Sequence, residues 1–107
     1  MAPAAMIAPG DCATMAEVRA GVDATDRALV LLLATRFAFM NAAARIKSDR
    51  SAVRDETRKA QVIANAVDAG RAAGLPDGLA TELWETLVEA SIAHELETFD
   101  AQRSILA

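Results

Sequence analysis

Apolar residues and one threonine recur early in the chain at steps of three and four: Met15, Val18, Val22, Thr25, Leu29 and Leu32. That spacing puts side chains on one stripe of a helix with 3.6 residues per turn. The stripe opens at Thr14-Met15-Ala16-Glu17, a capping box in which a hydroxyl and a carboxylate satisfy each other's free amides. Apart from Gly21 no glycine or proline interrupts the chain until about Ser48, so one helix is predicted over that whole span. At about 50 Å it is too long for the core of a compact single chain of this size, and it needs a partner along its flank. Ser48-Asp49-Arg50-Ser51 is a polar break. A second helix is predicted from roughly Arg54 to Ala73, with Val62, Ile63, Ala66 and Val67 as its buried stripe and Gly74 as its C′ residue. Pro76-Asp77 opens a third, carrying Leu79, Leu83, Leu87, Val88, Ile92, Leu96 and Phe99 and fraying near the C-terminus. The pattern is all-α, with three helices in one domain over residues 11–107 behind a flexible tail of residues 1–10.

Composition strengthens the case for a partner. Of 107 residues 53% are hydrophobic, but alanine dominates them, aromatics are 4% and tyrosine is absent. Alanine favours helix and buries little area, so the core of one chain is thin, and association is the usual remedy. A net charge of −4 argues against nucleic acid and means that an anionic ligand must be held by a local cluster of Arg and Lys. The lone Cys12 and lone His94 leave no disulfide, no metal site and no Ser-His-Asp or Cys-His nucleophile to expect, and a single thiol suits the cytoplasm. The longest aliphatic run, Ala28 to Ala34, is far short of about 20 residues, so no membrane span is expected. Met1 to Gly10 is apolar but lacks the basic start of a signal peptide.

The informative residues are polar ones in or beside the apolar stripes. Arg36 arrives where the first helix was due an apolar residue. Lys47 follows about three turns later and points almost the same way, so the two could close on one small anion from its two ends. Equally, Arg36 could snorkel and Lys47 merely suit a helix C-terminus. Arg19 lies some 25 Å from Arg36 along the axis and about 100° round the helix, so only an antiparallel partner could bring it to the same kind of pocket. Asp55, Arg58 and Lys59 cluster at the first turn of the second helix, where a charge run is ordinarily a solvated face. On the third helix Ser91 and Glu95 share a face with Trp84 and Val88, which removes the carboxyl partly from water. His94 sits one residue off that stripe and reads as surface.

Taken in order, Val18-Arg19, Val22-Asp23, Asp26, Arg36, Ala44-Arg45-Ile46-Lys47, Arg58, Ser91 and Glu95 resemble the all-helical chorismate mutases and the related isochorismate pyruvate lyases. The likeness runs over roughly residues 11 to 103. It implies an intertwined, domain-swapped homodimer with the two long first helices antiparallel, acting without cofactor on a small dianionic substrate. In that arrangement Arg36, Arg58 and the partner chain's equivalent of Arg19 would hold the two carboxylates, with Asp55 beside them. Lys47 would contact a carboxylate and the ether oxygen, Ser91 would help bind the ring carboxylate, and Glu95 would face the ether oxygen. Two features depart from the mutases: Lys59 follows the second-helix arginine where a glutamate is usual, and Pro9-Gly10-Asp11-Cys12 looks closer to the lyases. A third reading, from a different class, is a non-catalytic helical dimerisation module, in which Arg36 and Lys47 would face solvent.

Overall fold

The structure, a computed structural model, describes residues 7–106, with side chains as far as Ser104. Most of the expected tail, Met1 to Met6, therefore lies outside the described residues. Those residues are all helical: α1 (Met15–Ile46), α2 (Glu56–Ala73) and α3 (Leu79–Leu106), with 3-10 turns at Pro9–Asp11 and Arg50–Ala52 and no strand among them. The chain divides into two compact units, one ending at Ala38 and one beginning at Phe39, and α1 contributes to each.

In the first unit the expected cap forms. The Glu17 amide donates to Thr14 Oγ1 at 3.2 Å, and the Thr14 amide donates back to Glu17 Oε1 at 3.0 Å. Amides of Ala13 and Thr14 and the Thr14 hydroxyl all donate to this carboxylate, and they hold it below the usual carboxylate range. The stripe that the spacing laid out along α1 is exposed: Met15, Val22, Leu29 and Leu32 all face water, Leu32 at 67%. Among the described residues of this unit only Ala24 is buried. By length and composition α1 is also long and apolar enough to cross a membrane, which corrects the expectation drawn from the aliphatic run. Phe37, Phe39, Met40 and the alanines between Ala34 and Ala44 prolong the apolar stretch beyond Leu33, although Arg36 interrupts it.

In the second unit α2 packs on α3. Val53, Val88 and Ile92 form the buried centre, with Val62, Ile63, Trp84 and Leu96 against it. α2 begins two residues later than its apolar stripe suggested, because Asp55 is its N-cap and accepts from the Arg58 amide at 3.0 Å. Gly74, at φ +80°, ends it as expected. α3 starts at Leu79 rather than at Pro76 because Gly78 takes φ +84°, a left-handed conformation that a continuing α-helix cannot contain. Two apolar assignments change. Leu83 is half exposed, and Val53, in the polar connection after Ser51, is buried at 4%.

Candidate active site

The stripe on α3 is where charge meets core. Val88, Ser91 and Glu95 are all buried, and Trp84 packs against the same cluster. Lys47 stands one residue past the end of α1, its amide donating to the Ala43 carbonyl at 2.9 Å. From there its ammonium reaches Glu95 Oε2 at 2.7 Å, with the Glu95 side chain 6% exposed and that of Lys47 30%. A carboxylate held this far from water needs a paired, hydrogen-bonded cation, and Lys47 supplies it. The Ser91 hydroxyl, one turn before Glu95, donates to the Leu87 carbonyl at 2.7 Å. The second unit thus offers, within one small region, a half-exposed cation, a buried carboxyl and a buried hydroxyl.

The remaining candidates are dispersed. Arg36, half-buried, and Arg19, exposed, both stand on α1 in the first unit. Arg58 is exposed and donates through Nη1 to Gln61 Oε1 at 2.7 Å. Asp55 spends a carboxylate oxygen on its own helix cap. Lys59 turns away from a ligand-binding role and bridges α2 to α3. Its ammonium lies 2.8 Å from Glu89 and 3.1 Å from Glu85, with its side chain only 18% exposed. Arg54 closes the same network, gripping both oxygens of Glu89 and one of Glu56. Arg54 first and then Lys59 pull Glu89 down to about 2, while Glu89 first and then Glu85 raise Lys59.

A carboxylate whose folded pKa lies below its unfolded value stabilises the fold above that unfolded value. The support is then lost as pH falls through the folded pKa. Urea midpoints should therefore drop between about pH 4.5 and pH 2 in the wild type. In Glu89→Gln that part of the acid slope should be missing. An equal slope in both would remove Glu89 from the account.

Several contacts had no precursor in the sequence reading. His94 is half-buried rather than surface, its Nε2 2.6 Å from Asn41 Oδ1. Asp100 takes Arg50 through both carboxylate oxygens, at 2.9 and 3.2 Å. Arg103 donates to two carbonyls at the end of α1, one of them that of Lys47 itself. The only sequence signal for Arg103 was its place four residues after Phe99, since its acceptors belong to the backbone. Among the described residues no group of three or more His, Cys, Asp or Glu could hold a metal ion. An apolar hollow in the first unit is lined by Ile7, Pro9, Cys12, Val18 and Val22. A polar one in the second unit, between Gly70 and Thr81, contains neither Lys47 nor Glu95.

No curated protein matches the chain at a significant level. A family model described as chorismate mutase type II matches residues 18–96, which take in Arg19, Arg36, Lys47, Arg58, Ser91 and Glu95. With that match over most of its length and an all-helical structure, the chain belongs to the chorismate mutase type II family, a family of isomerases.

Proposed function

We propose that the protein rearranges chorismate to prephenate, with Lys47 and Glu95 at the reacting centre. The observation that carries this reading is the 2.7 Å contact between a half-exposed ammonium and a buried carboxyl, in a chain of this family. The rearrangement breaks the ether C–O bond as a C–C bond forms, with no covalent intermediate and no cofactor. Negative charge grows on the ether oxygen in the transition state. Donors fixed at that oxygen stabilise it more than the ground state, and so raise the rate rather than merely the affinity. In the empty site Lys47 is occupied by Glu95. A dianionic substrate brings carboxylates that compete for Lys47, and Glu95 in its acid form would then donate to the ether oxygen. Ser91 would serve the ring carboxylate by rotating its hydroxyl away from Leu87. Cations around the substrate would also hold it in the folded conformer that reacts.

The pocket is proposed to be completed by a second copy of the chain. The exposed stripe of α1, Met15 through Leu32, fits the flank of an antiparallel α1 from a partner, in a domain-swapped homodimer. Lipid is the poorer occupant, because Arg36 lies within the apolar stretch and a charged side chain at a bilayer centre costs about 2.5–3.5 kcal/mol or more. In that dimer Arg36 and Arg58 of one chain and Arg19 of the other hold the two substrate carboxylates, and the enzyme works in the cytoplasm. A purely structural dimerisation module would leave Lys47 facing solvent, whereas its ammonium is held by a buried carboxyl.

One observation favours isochorismate pyruvate lyase as the second reading. Lys59 is consumed by Glu85 and Glu89, so the position that commonly offers a glutamate to the substrate hydroxyl offers none. The two readings separate when purified protein is incubated with chorismate and, separately, with isochorismate. Prephenate from the first substrate is the expected result. Salicylate plus pyruvate from the second alone would establish the lyase, and inertness toward both would reject the enzyme reading.

A further inference from the structure

We infer that Arg103 is a positioning residue for Lys47, an inference that rests on Lys47 acting at the reacting centre. The last four carbonyls of any α-helix lack partners within it. At the end of α1 Arg103 answers one of them and the carbonyl just beyond the helix: Nη1 donates to the Ala44 carbonyl at 2.8 Å, and Nη2 donates to the carbonyl of Lys47. Ala44 is fully buried, so the first of these bonds is made away from water. The guanidinium is itself fixed, lying 3.7 Å over the ring of buried Phe99, one turn earlier on α3. Arginine suits this task because its planar fork presents two donors in one rigid geometry and stacks on an aromatic face.

The consequence is that α3 holds Lys47 at both ends. Glu95 takes the ammonium, and Arg103, about two turns further along the same helix, takes the backbone from which that side chain springs. With its carbonyl anchored, the Lys47 backbone is held where its side chain can reach Glu95. Neighbouring Asp100 ties Arg50 to the same end of α3, but that pair is exposed on both sides and its hydrogen bonds do not involve Lys47. Arg103 lies beyond residues 18–96, the segment that the family model matches.

The test uses Arg103→Met, which keeps the apolar stem over Phe99 but removes both donors, and Arg103→Lys, which restores one. Asp100→Asn serves as the control for a general loosening of the α3 end. With the substrate identified, Arg103→Met should lower kcat by roughly 10- to 100-fold, since a displacement of about 1 Å can cost the latter. KM should change far less, because the loss falls on a transition-state contact. Arg103→Lys should recover part of the loss, and Asp100→Asn should stay near wild type. A second readout does not depend on turnover. The chain has only two lysines, Lys47 and Lys59, so protein labelled with 15N at Nζ gives two ammonium signals, assigned by Lys59→Arg. In Arg103→Met the Lys47 signal should move to that of a solvated lysine and exchange faster, with the Lys59 signal unmoved and helicity intact. An unchanged Lys47 signal in folded Arg103→Met, or in Arg103→Lys should the methionine variant not fold, overturns the inference whatever the activity. Inertness of the wild type toward both substrates would instead reject the enzyme reading and leave the lysine signal to decide the anchor.

Discussion

Alanine at position 47 should lower kcat by about 10²- to 10³-fold, the loss typical when one fixed donor to developing charge is removed. The reason lies in the geometry of the pair. Lys47 Nζ sits 2.7 Å from Glu95 Oε2, which places it beside the carboxyl proposed to face the ether oxygen. The same substitution leaves the Glu95 carboxyl, 6% exposed, without its cation. Stranding a buried polar group in this way costs roughly 1–3 kcal/mol, so Lys47→Ala should also unfold at lower urea. The double variant Lys47→Ala/Glu95→Leu should recover stability without recovering turnover, which separates the two roles. Steady-state rates and urea midpoints on the three variants decide the matter. Near-wild-type turnover in Lys47→Ala would remove the pair from the chemistry.

The second large effect concerns two residues of the first unit. Arg36→Ala and Arg19→Ala should each lose activity by orders of magnitude, yet a mixture of the two inactive proteins should regain it. In the proposed isologous dimer the two sites would be equivalent, each drawing Arg36 from one chain and Arg19 from the other. A mixed dimer therefore contains one site with both lesions and one with neither. Random exchange of subunits gives half mixed dimers, and so about one quarter of wild-type activity. Sedimentation should give about twice the chain mass for both variants and for the wild type. A mixture as inactive as its parents, or an active wild-type monomer, would mean that Arg19 serves no neighbouring site.

Much of the fold was legible because its signals are local. Thr14 and Glu17 cap α1, Gly74 ends α2, and the apolar stripes of α2 and α3 meet as their periodicity required. The start of α3 was misplaced because Pro76-Asp77 reads as an opening turn, whereas the left-handed Gly78 decides where helix can begin. Val53 carries no signal in the sequence, because one apolar residue in a polar connection has no period to reveal it. At the site, the shared face of Val88, Ser91 and Glu95 followed from spacing on a single helix. What spacing could not supply was register between helices. That register makes Lys59 a bridge to Glu85 and Glu89 rather than a ligand-facing charge. It also brings Arg103 to carbonyls, which look alike at every position of a sequence.

The proposed function rests on Lys47 and Glu95, so the role of Glu95 is the point to measure. A carboxyl donates a hydrogen bond only while protonated, whereas a glutamine amide donates at any ordinary pH. If Glu95 donates to the ether oxygen, wild-type kcat should be greatest on the acid side and decline as pH rises. Glu95→Gln should remove most of that slope and stay active toward neutral pH, and Glu95→Ala should be poor throughout. The decisive measurement is kcat from pH 5 to pH 8 for the wild type and Glu95→Gln. A falling wild-type profile beside a flat, active Glu95→Gln is the predicted result. A flat wild-type profile beside an inactive Glu95→Gln would contradict it, and would leave Glu95 as a carboxylate whose work is to hold Lys47 in place.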